Sequence, residues 1–421
     1  MKSYTFEYNL KFLVAFGIIW LGVTTEILAQ YSLKGRVVDA ETLEPLLFAT
    51  VFISNSSIGT STNKQGEFEL TIPEGNHELI ISYIGFQTFS YAISTKVLRP
   101  FYEFRILQET VELEESEVKE KRDKAWYDNL AVFKTLFLGT SVNASNCEIK
   151  NPEVLILDGE TVPGRLTARA KDILEIENPN LGYNIKYVLT GFEYDKEQGQ
   201  ITYAGYPYFQ EENLPKRRIK KVTESREKAY QGSVMHFMRS LYKDEMESSG
   251  FKVFATQRVL NPNSQKQASS EIIWPDDDSK DEENPAKQER PVGFNAMDSL
   301  DIPFNEPFDP AKLIQKTADG KVFITYNKPV YINFSREIEE SSFFPYSLRN
   351  LNFTIRNLGS ESGESEEKRP GQLSIMLLRA KAVQVFENGS YYHPFDLFLQ
   401  GYMAWEKIGD QMPLDYGMDN E

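Results

Sequence analysis

The side chains best suited to metal ligation or to nucleophilic and acid–base chemistry are scarce here: three histidines, His77, His236 and His393, and one cysteine, Cys147. A zinc site gathers imidazole, thiolate or carboxylate ligands at fixed spacing, and zinc peptidases open theirs with His-x-x-Glu or His-Glu-x-x-His. Three residues after the histidines stand Ile80, Arg239 and Asp396, so neither motif exists. A Gly-x-Ser-x-Gly nucleophile elbow is missing, as are a phosphate-cradling glycine loop and a dinucleotide fingerprint. Ser233 lies three residues before His236, but no acid is placed to orient the imidazole, which makes the pair a poor dyad. The 62 aspartates and glutamates make paired carboxylates too common to point to glycoside hydrolysis. The expectation is therefore no catalytic residue, no metal and no cofactor. Cys147 cannot form an intramolecular disulfide, and with no nearby histidine or basic cluster to activate it the sulfur reads as a small buried or semi-buried filler.

The densest local pattern is Tyr230 to Leu241, inside a stretch whose apolar spacing predicts one helix from about Lys220 to Met246, with Tyr230, Val234, Phe237 and Leu241 on its buried face. Gly232 within such a helix costs about 1 kcal/mol relative to alanine, which points to a close approach by another backbone or a ligand. Tyr230, His236 and Arg239 are accordingly the binding-site candidates, set against simple core packing. A second cluster, Tyr203, Tyr206, Tyr208 and Phe209 around Gly205 and Pro207, suits either a sugar-stacking surface or an ordinary edge strand.

The elements that must position these residues begin with a leader. Lys2 and Lys11 precede the apolar run Phe12–Val23, and the small residue Ala29 marks the expected cleavage site, so residues 1–29 read as a signal peptide. The run is too short to span a bilayer, which takes about 20 apolar residues, so the mature chain is not expected to cross a membrane. Seven β-patterned runs follow within 30–109, at Leu33–Asp39, Phe48–Ile53, Ile58–Thr62, Glu67–Ile72, His77–Tyr83, Gln87–Ile93 and Phe101–Leu107. Turn residues separate them, among them Asn63-Lys64-Gln65-Gly66 and Pro73-Glu74-Gly75, and seven short strands in so few residues imply two packed sheets.

Gly35-Arg36-Val37-Val38-Asp39, Pro45-Leu46, Ala49-Thr50-Val51, Gly59-Thr60-Ser61-Thr62-Asn63, Gly66-Glu67-Phe68, Pro73-Glu74-Gly75 and Ser82-Tyr83-Ile84-Gly85-Phe86 together resemble the carboxypeptidase-regulatory-like, or transthyretin-like, domain. The resemblance covers about 80 residues, 31–109. It implies a non-catalytic Greek-key sandwich, of the kind attached to metallocarboxypeptidases and to TonB-dependent outer-membrane receptors, serving for docking or scaffolding.

From Val111 to Phe137 the period lengthens toward four. Glu115 with Lys119, Glu117 with Lys121 and Glu120 with Lys124 form i, i+4 pairs, and Trp126, Leu130, Phe133 and Phe137 form an apolar stripe, so 110–137 reads as a charged helical linker. Residues 138–421 read as a larger α+β domain. Strand-like runs stand at Val154–Leu157, Tyr183–Tyr194, Gln200–Tyr208, Lys321–Asn327, Val330–Ser335, Asn352–Asn357, Gln372–Leu378 and Ala382–Phe386, with acidic insertions near 264–290 and 359–371. The fold class is thus mainly β with an α+β second domain. The net charge of −16 and isoelectric point near 4.9 work against nucleic acid as a partner.

These readings favour a non-enzymatic exported envelope protein, periplasmic or outer-membrane associated, with a docking sandwich and a second domain that binds an envelope protein or glycan. The alternatives are a hydrolase of unfamiliar type acting on polysaccharide or peptide, and an accessory of a TonB-dependent transporter. Cleavage after Ala29 is testable: the intact mass of the mature protein should begin at Gln30, and a mature chain that keeps residues 1–29 would contradict the assignment.

Overall fold

The structure, a computed structural model, describes residues 30–109, 122–260, 299–304, 306–343, 371–391 and 394–418. The leader, the Glu/Lys pairs before residue 122, the run Asn352–Asn357 and most of both acidic insertions lie outside the described residues. Contacts divide the chain into two compact units, Met1–Ile53 with Ile58–Glu109, and Ser54–Ser57 with Thr110–Glu421.

The first unit is the expected seven-stranded sandwich. Its strands are β1 (Gln30–Asp39), β2 (Thr50–Ile53), β3 (Gly59–Ser61), β4 (Glu67–Pro73), β5 (Asn76–Ser82), β6 (Phe89–Ser94) and β7 (Tyr102–Ile106). One sheet runs β4-β1-β7 and the other β3-β2-β5-β6. In β4 the side chains alternate out and in, with Phe68, Leu70 and Ile72 buried between exposed Glu67, Glu69 and Thr71, as the period of two dictates. They pack with Leu33, Val37, Val51, Leu79 and Ile81 in one core. β7 returns parallel to β1, which closes the three-stranded sheet.

In the second unit, helix α1 (Lys124–Leu138) begins where the Asp123 carboxylate accepts from the Trp126 N–H, and it buries the predicted stripe of Leu130, Phe133 and Phe137. Phe133 stacks on Phe137 and meets Phe192 edge-on at 4.9 Å. The helix covers a six-stranded sheet of β8 (Glu148–Ile149), β9 (Leu155–Asp158), β10 (Arg165–Ala170), β11 (Leu174–Asn178), β12 (Tyr183–Asp195) and β13 (Gln200–Glu211). The long β12 shares itself, pairing through Tyr183–Tyr187 with β11 and through Phe192–Asp195 with β10, while β13 lies along its whole length.

The predicted single helix Lys220–Met246 is two helices, α2 (Lys216–Tyr230) and α3 (Val234–Lys243), followed by the short α4 (Met246–Ser249). Gly232 sits at φ +78°, a left-handed conformation that no helix interior contains, and Ser233 then starts α3 afresh by accepting from the His236 N–H. The glycine that appeared to strain a helix instead ends one. Phe237, Met238 and Leu241 of α3 are buried, as expected for two of them, against a second core that includes Phe251, Phe334 and Met376.

That core backs a five-stranded sheet in the order β15-β14-β18-β19-β21, made of β14 (Phe251–Leu260), β15 (Ser299–Pro303), β18 (Val330–Phe334), β19 (Gln372–Leu378) and β21 (Leu397–Gly401). Beside it stand β16 (Ile314–Lys316), β17 (Val322–Ile324) and β20 (Val383–Val385) in a small sheet of their own. A short helix, α5 (Tyr402–Trp405), follows β21. Among the described residues no helix is long and apolar enough to cross a membrane.

Gly232 makes this arrangement testable. A Cβ there would overlap the Gln372 side chain and the ring of Phe334, both buried, and would also have to adopt the left-handed conformation. Gly232→Ala should lower unfolding free energy by about 2–4 kcal/mol in a urea titration, from backbone strain and overpacking together. A change within about 0.5 kcal/mol, the range of inert surface substitutions, would refute the turn.

Candidate functional site

The ladder between β14 and β18 ends at the pair Ala255 and Val330, and the residue before Val330 is Pro329, which has no N–H to donate. Thr256 compensates in part, its hydroxyl donating to the Pro329 carbonyl at 2.9 Å. Both neighbours of β18 run further: β14 continues to Leu260 and β19 passes its last β18 partner, Met376, to Leu378. Phe304 and Phe308 are tied back to β14, the Phe304 N–H donating to Ala255 O (2.9 Å) and the Phe308 N–H to Val253 O (2.6 Å).

A cleft of about 1210 Å³ opens where β18 stops. Its walls come from Ala255–Gln257, from Phe304 and Glu306–Phe308, and from Tyr326–Pro329, with Leu377 beside them. Phe304 leaves 46 % of its surface uncovered, and the rings of Phe308 and Tyr326 meet at 5.0 Å. Gln257 and Asn327 supply amides, and Glu306 and Lys328 supply one charge of each sign. Apolar walls with a few polar groups are the usual composition of a binding cleft. Among its lining residues no histidine, cysteine or second carboxylate accompanies Glu306, so an acid–base pair is not assembled there.

The three residues singled out from sequence are brought together, but His236 Nδ1 and the Arg239 guanidinium are directed at the protein's own backbone. The His236 ring lies 4.7 Å from that of Tyr230, and Arg239 stands 5.4 Å above the Tyr230 ring. His236 Nδ1 accepts from the Gly232 N–H at 3.1 Å, which fixes the imidazole in its neutral form. Burial, with Arg336 and Arg239 nearby, pushes its pKa down to about 4. Arg239 donates from Nε to Asn388 O, from Nη1 to Tyr416 O and from Nη2 to Leu414 O, at 2.9–3.1 Å. It thereby clamps α3 to the Glu387-Asn388-Gly389 turn and to the C-terminal segment. Ser233 serves as a helix cap rather than a nucleophile.

The tyrosine cluster does not form one surface. Tyr208 and Phe209 are buried, and Tyr203 packs edge-on against Phe137 at 5.5 Å. These residues belong to β13, which pairs with β12 off the main path of its sheet. Cys147 is half-buried with its Sγ 3.5 Å from Asn143 O, and burial pushes the thiol up to about 12, which leaves it without thiolate character.

Sequence reasoning missed a set of buried carboxyl groups after β21. Asp410, 7 % exposed, accepts from Ser141 Oγ (2.7 Å) and Asn143 Nδ2 (3.1 Å) through Oδ1, while its buried Oδ2 has no hydrogen-bond partner among the described residues. Desolvation, opposed by those two hydrogen bonds, raises its pKa to about 6. Glu406 is pushed well above the ordinary carboxylate range by burial and by Asp410, Glu340 and Glu337. Glu340 pairs with Lys228 at 3.0 Å and accepts from the Val142 N–H. The group pins the turn after α5 onto residues 141–143, and no spacing in Glu406-Lys407-Ile408-Gly409-Asp410 announced it. Among the described residues no group of three or more His, Cys, Asp or Glu side chains is placed to hold a metal ion.

Because Asp410 has a folded pKa above its unfolded value, its stabilising contribution is complete at low pH and is lost as pH rises through about 6. His236 has the opposite sign, its contribution being lost as pH falls from 6.5 through about 4. Asp410→Asn keeps the acceptor for Ser141 and Asn143 and removes the charge. It should raise unfolding free energy at pH 7.5 by up to about 3 kcal/mol, and the gain should shrink toward zero near pH 4. Thermal melts of both proteins across that range decide it; a variant less stable than wild type at pH 7.5 would contradict the assignment.

No curated protein matches the chain. Among solved structures, a DUF3823 family protein from Bacteroides ovatus shares 10 % identity over 45 % of this chain and 83 % of its own, with a TM-score of 0.16. A 9R-lipoxygenase from Cyanothece shares 11 % identity over 55 % of this chain, with the same TM-score of 0.16, and the match spans about half of the lipoxygenase (52 %). Residues 33–118 match the CarboxypepD_reg-like domain family, which identifies the N-terminal sandwich as the regulatory-like domain that its sequence resembles.

Proposed function

We propose that the protein is an exported, non-enzymatic component of the cell envelope, in which the regulatory-like sandwich docks or scaffolds and the second unit holds a partner protein or glycan in the cleft beside Pro329. One observation carries this reading. The cleft combines uncovered apolar walls, Phe304 above all, with neutral amides and a single pair of opposite charges, a composition suited to holding a ligand. The carboxyl groups with raised pKa values elsewhere in the unit pin a turn, and Asp410 Oδ1 is already engaged by Ser141 and Asn143. That engagement weighs against the hydrolase alternative.

Photo-crosslinking in cells tests the proposal. A photoreactive amino acid at position 304 should give a specific adduct in the envelope fraction, either a discrete protein band or a polysaccharide smear, whereas the same group at exposed Ile219 should not. An adduct with an outer-membrane barrel protein would select the transporter-accessory form of the reading. No adduct at 304, or the same adducts from both positions, would overturn it.

A further inference from the structure

The cleft has the geometry of a missing strand. In an antiparallel ladder the N–H and C=O of successive residues point alternately to the two neighbours. Gly250 O accepts from Ser335 N–H on the β18 side, whereas Val253 O and Ala255 O accept from Phe308 and Phe304 on the β15 side. Alternation therefore directs the backbone groups of residues 250, 252, 254, 256 and 258 toward β18. Phe254 still has its partner there, Tyr331. Thr256 faces Pro329, and Arg258 faces the line along which β18 would continue but does not.

The same reasoning holds on the other flank. Val330, Ile332 and Phe334 pair with Met376, Ser374 and Gln372, so the β19 residue that next presents its backbone toward the β18 line is Leu378, two past the end of that ladder. β14 and β19 thus overhang a gap one strand wide, and the lining residues Thr256, Gln257 and Leu377 place the cleft in that gap. Among the described residues no strand pairs with residues 258 and 378 on that side, and such a sheet edge is a template for another strand.

We infer that the cleft accepts a short extended polypeptide segment of a partner protein, which continues the line of β18 by β-augmentation between β14 and β19. This inference rests on the cleft being the ligand site. Main-chain hydrogen bonds to Arg258 and to Leu378 would hold the segment, and Phe304, Phe308 and Tyr326 would receive its apolar side chains. The overhang of β14 from Thr256 to Leu260 sets its length at up to about five residues, by the matched spacing of paired strands. The opposite charges of Glu306 and Lys328 cancel, so a neutral segment fits better than a polyanion or polycation. An oligosaccharide would use the aromatic walls but would leave the strand edges without the regular alternation of donors and acceptors that they present.

The probe is an acetylated and amidated heptapeptide alternating threonine and valine, compared with the same peptide N-methylated at alternate amides and with cellohexaose, each titrated into the full-length mature protein. The plain peptide should bind, methylation should weaken it at least tenfold by removing strand donors, and Phe304→Ala should weaken it at least threefold without moving the melting temperature. Equal binding of the plain and methylated peptides would overturn the inference. So would binding of cellohexaose in preference to the peptide, which would nevertheless leave the cleft as the ligand site. Binding of neither probe, together with a specific adduct at position 304, would also overturn the strand geometry while sparing the broader reading, whereas loss of both would remove the site altogether.

Discussion

Proline cannot donate a ladder hydrogen bond, and the second unit is arranged around one place where that matters, Pro329 between β14 and β19. Had residue 329 carried an N–H, β18 could have paired on toward Thr256 and narrowed the gap. Instead the Thr256 hydroxyl satisfies the Pro329 carbonyl, and the chain turns away through Asn327 and Lys328. Phe304 and Phe308 are hydrogen-bonded to the opposite side of β14, and their backbones so keep clear of the gap. Phe304 is left largely uncovered beside the gap, while Phe308 and Tyr326 line the cleft and pack against the edge of the second core.

The rest of the unit gives that gap rigid walls. Gly232 ends α2 so that α3 can lay Phe237 and Leu241 on the back of the five-stranded sheet, where Phe251 and Phe334 receive them. Arg239 then ties α3 to three carbonyls in two other segments, and its charge is compensated by carbonyl dipoles rather than by a carboxylate. Farther along, Asp410 carries a raised pKa because burial is only partly offset by hydrogen bonds, and Glu406 because burial and the neighbouring carboxylates raise it together. These are costs borne by the fold to fix the C-terminal turn. The site residues expected from sequence thus belong to the frame, while the cleft is lined by residues that no motif marked.

Legibility follows how far apart in sequence the determining residues lie. Each sandwich strand is a local alternation between turn residues, and all seven were visible, as was the α1 stripe of Leu130, Phe133 and Phe137. The long helix was misread because periodicity survived across Gly232; only the glycine's conformation reveals the break, and the cap at Ser233 was the available signal. Strands β10 and β11 were missed because Arg165–Ala170 and Leu174–Asn178 are short and carry few apolar side chains. β14 was missed because lysine, glutamine and arginine interrupt its apolar pattern. The cleft was out of reach since its walls come from residues 255–257, 304, 306–308, 326–329 and 377, none unusual in its own window. Pro329 was the one local hint, a residue without an N–H that stands where the β18 ladder stops.

Amide hydrogen exchange tests the central claim most directly, because it reads the strand edges themselves. With the threonine–valine heptapeptide bound, the Arg258 and Leu378 amides should become protected while amides of the seven sandwich strands stay as they were. Protection of neither amide in a protein shown to be saturated with peptide would contradict a guest strand between β14 and β19.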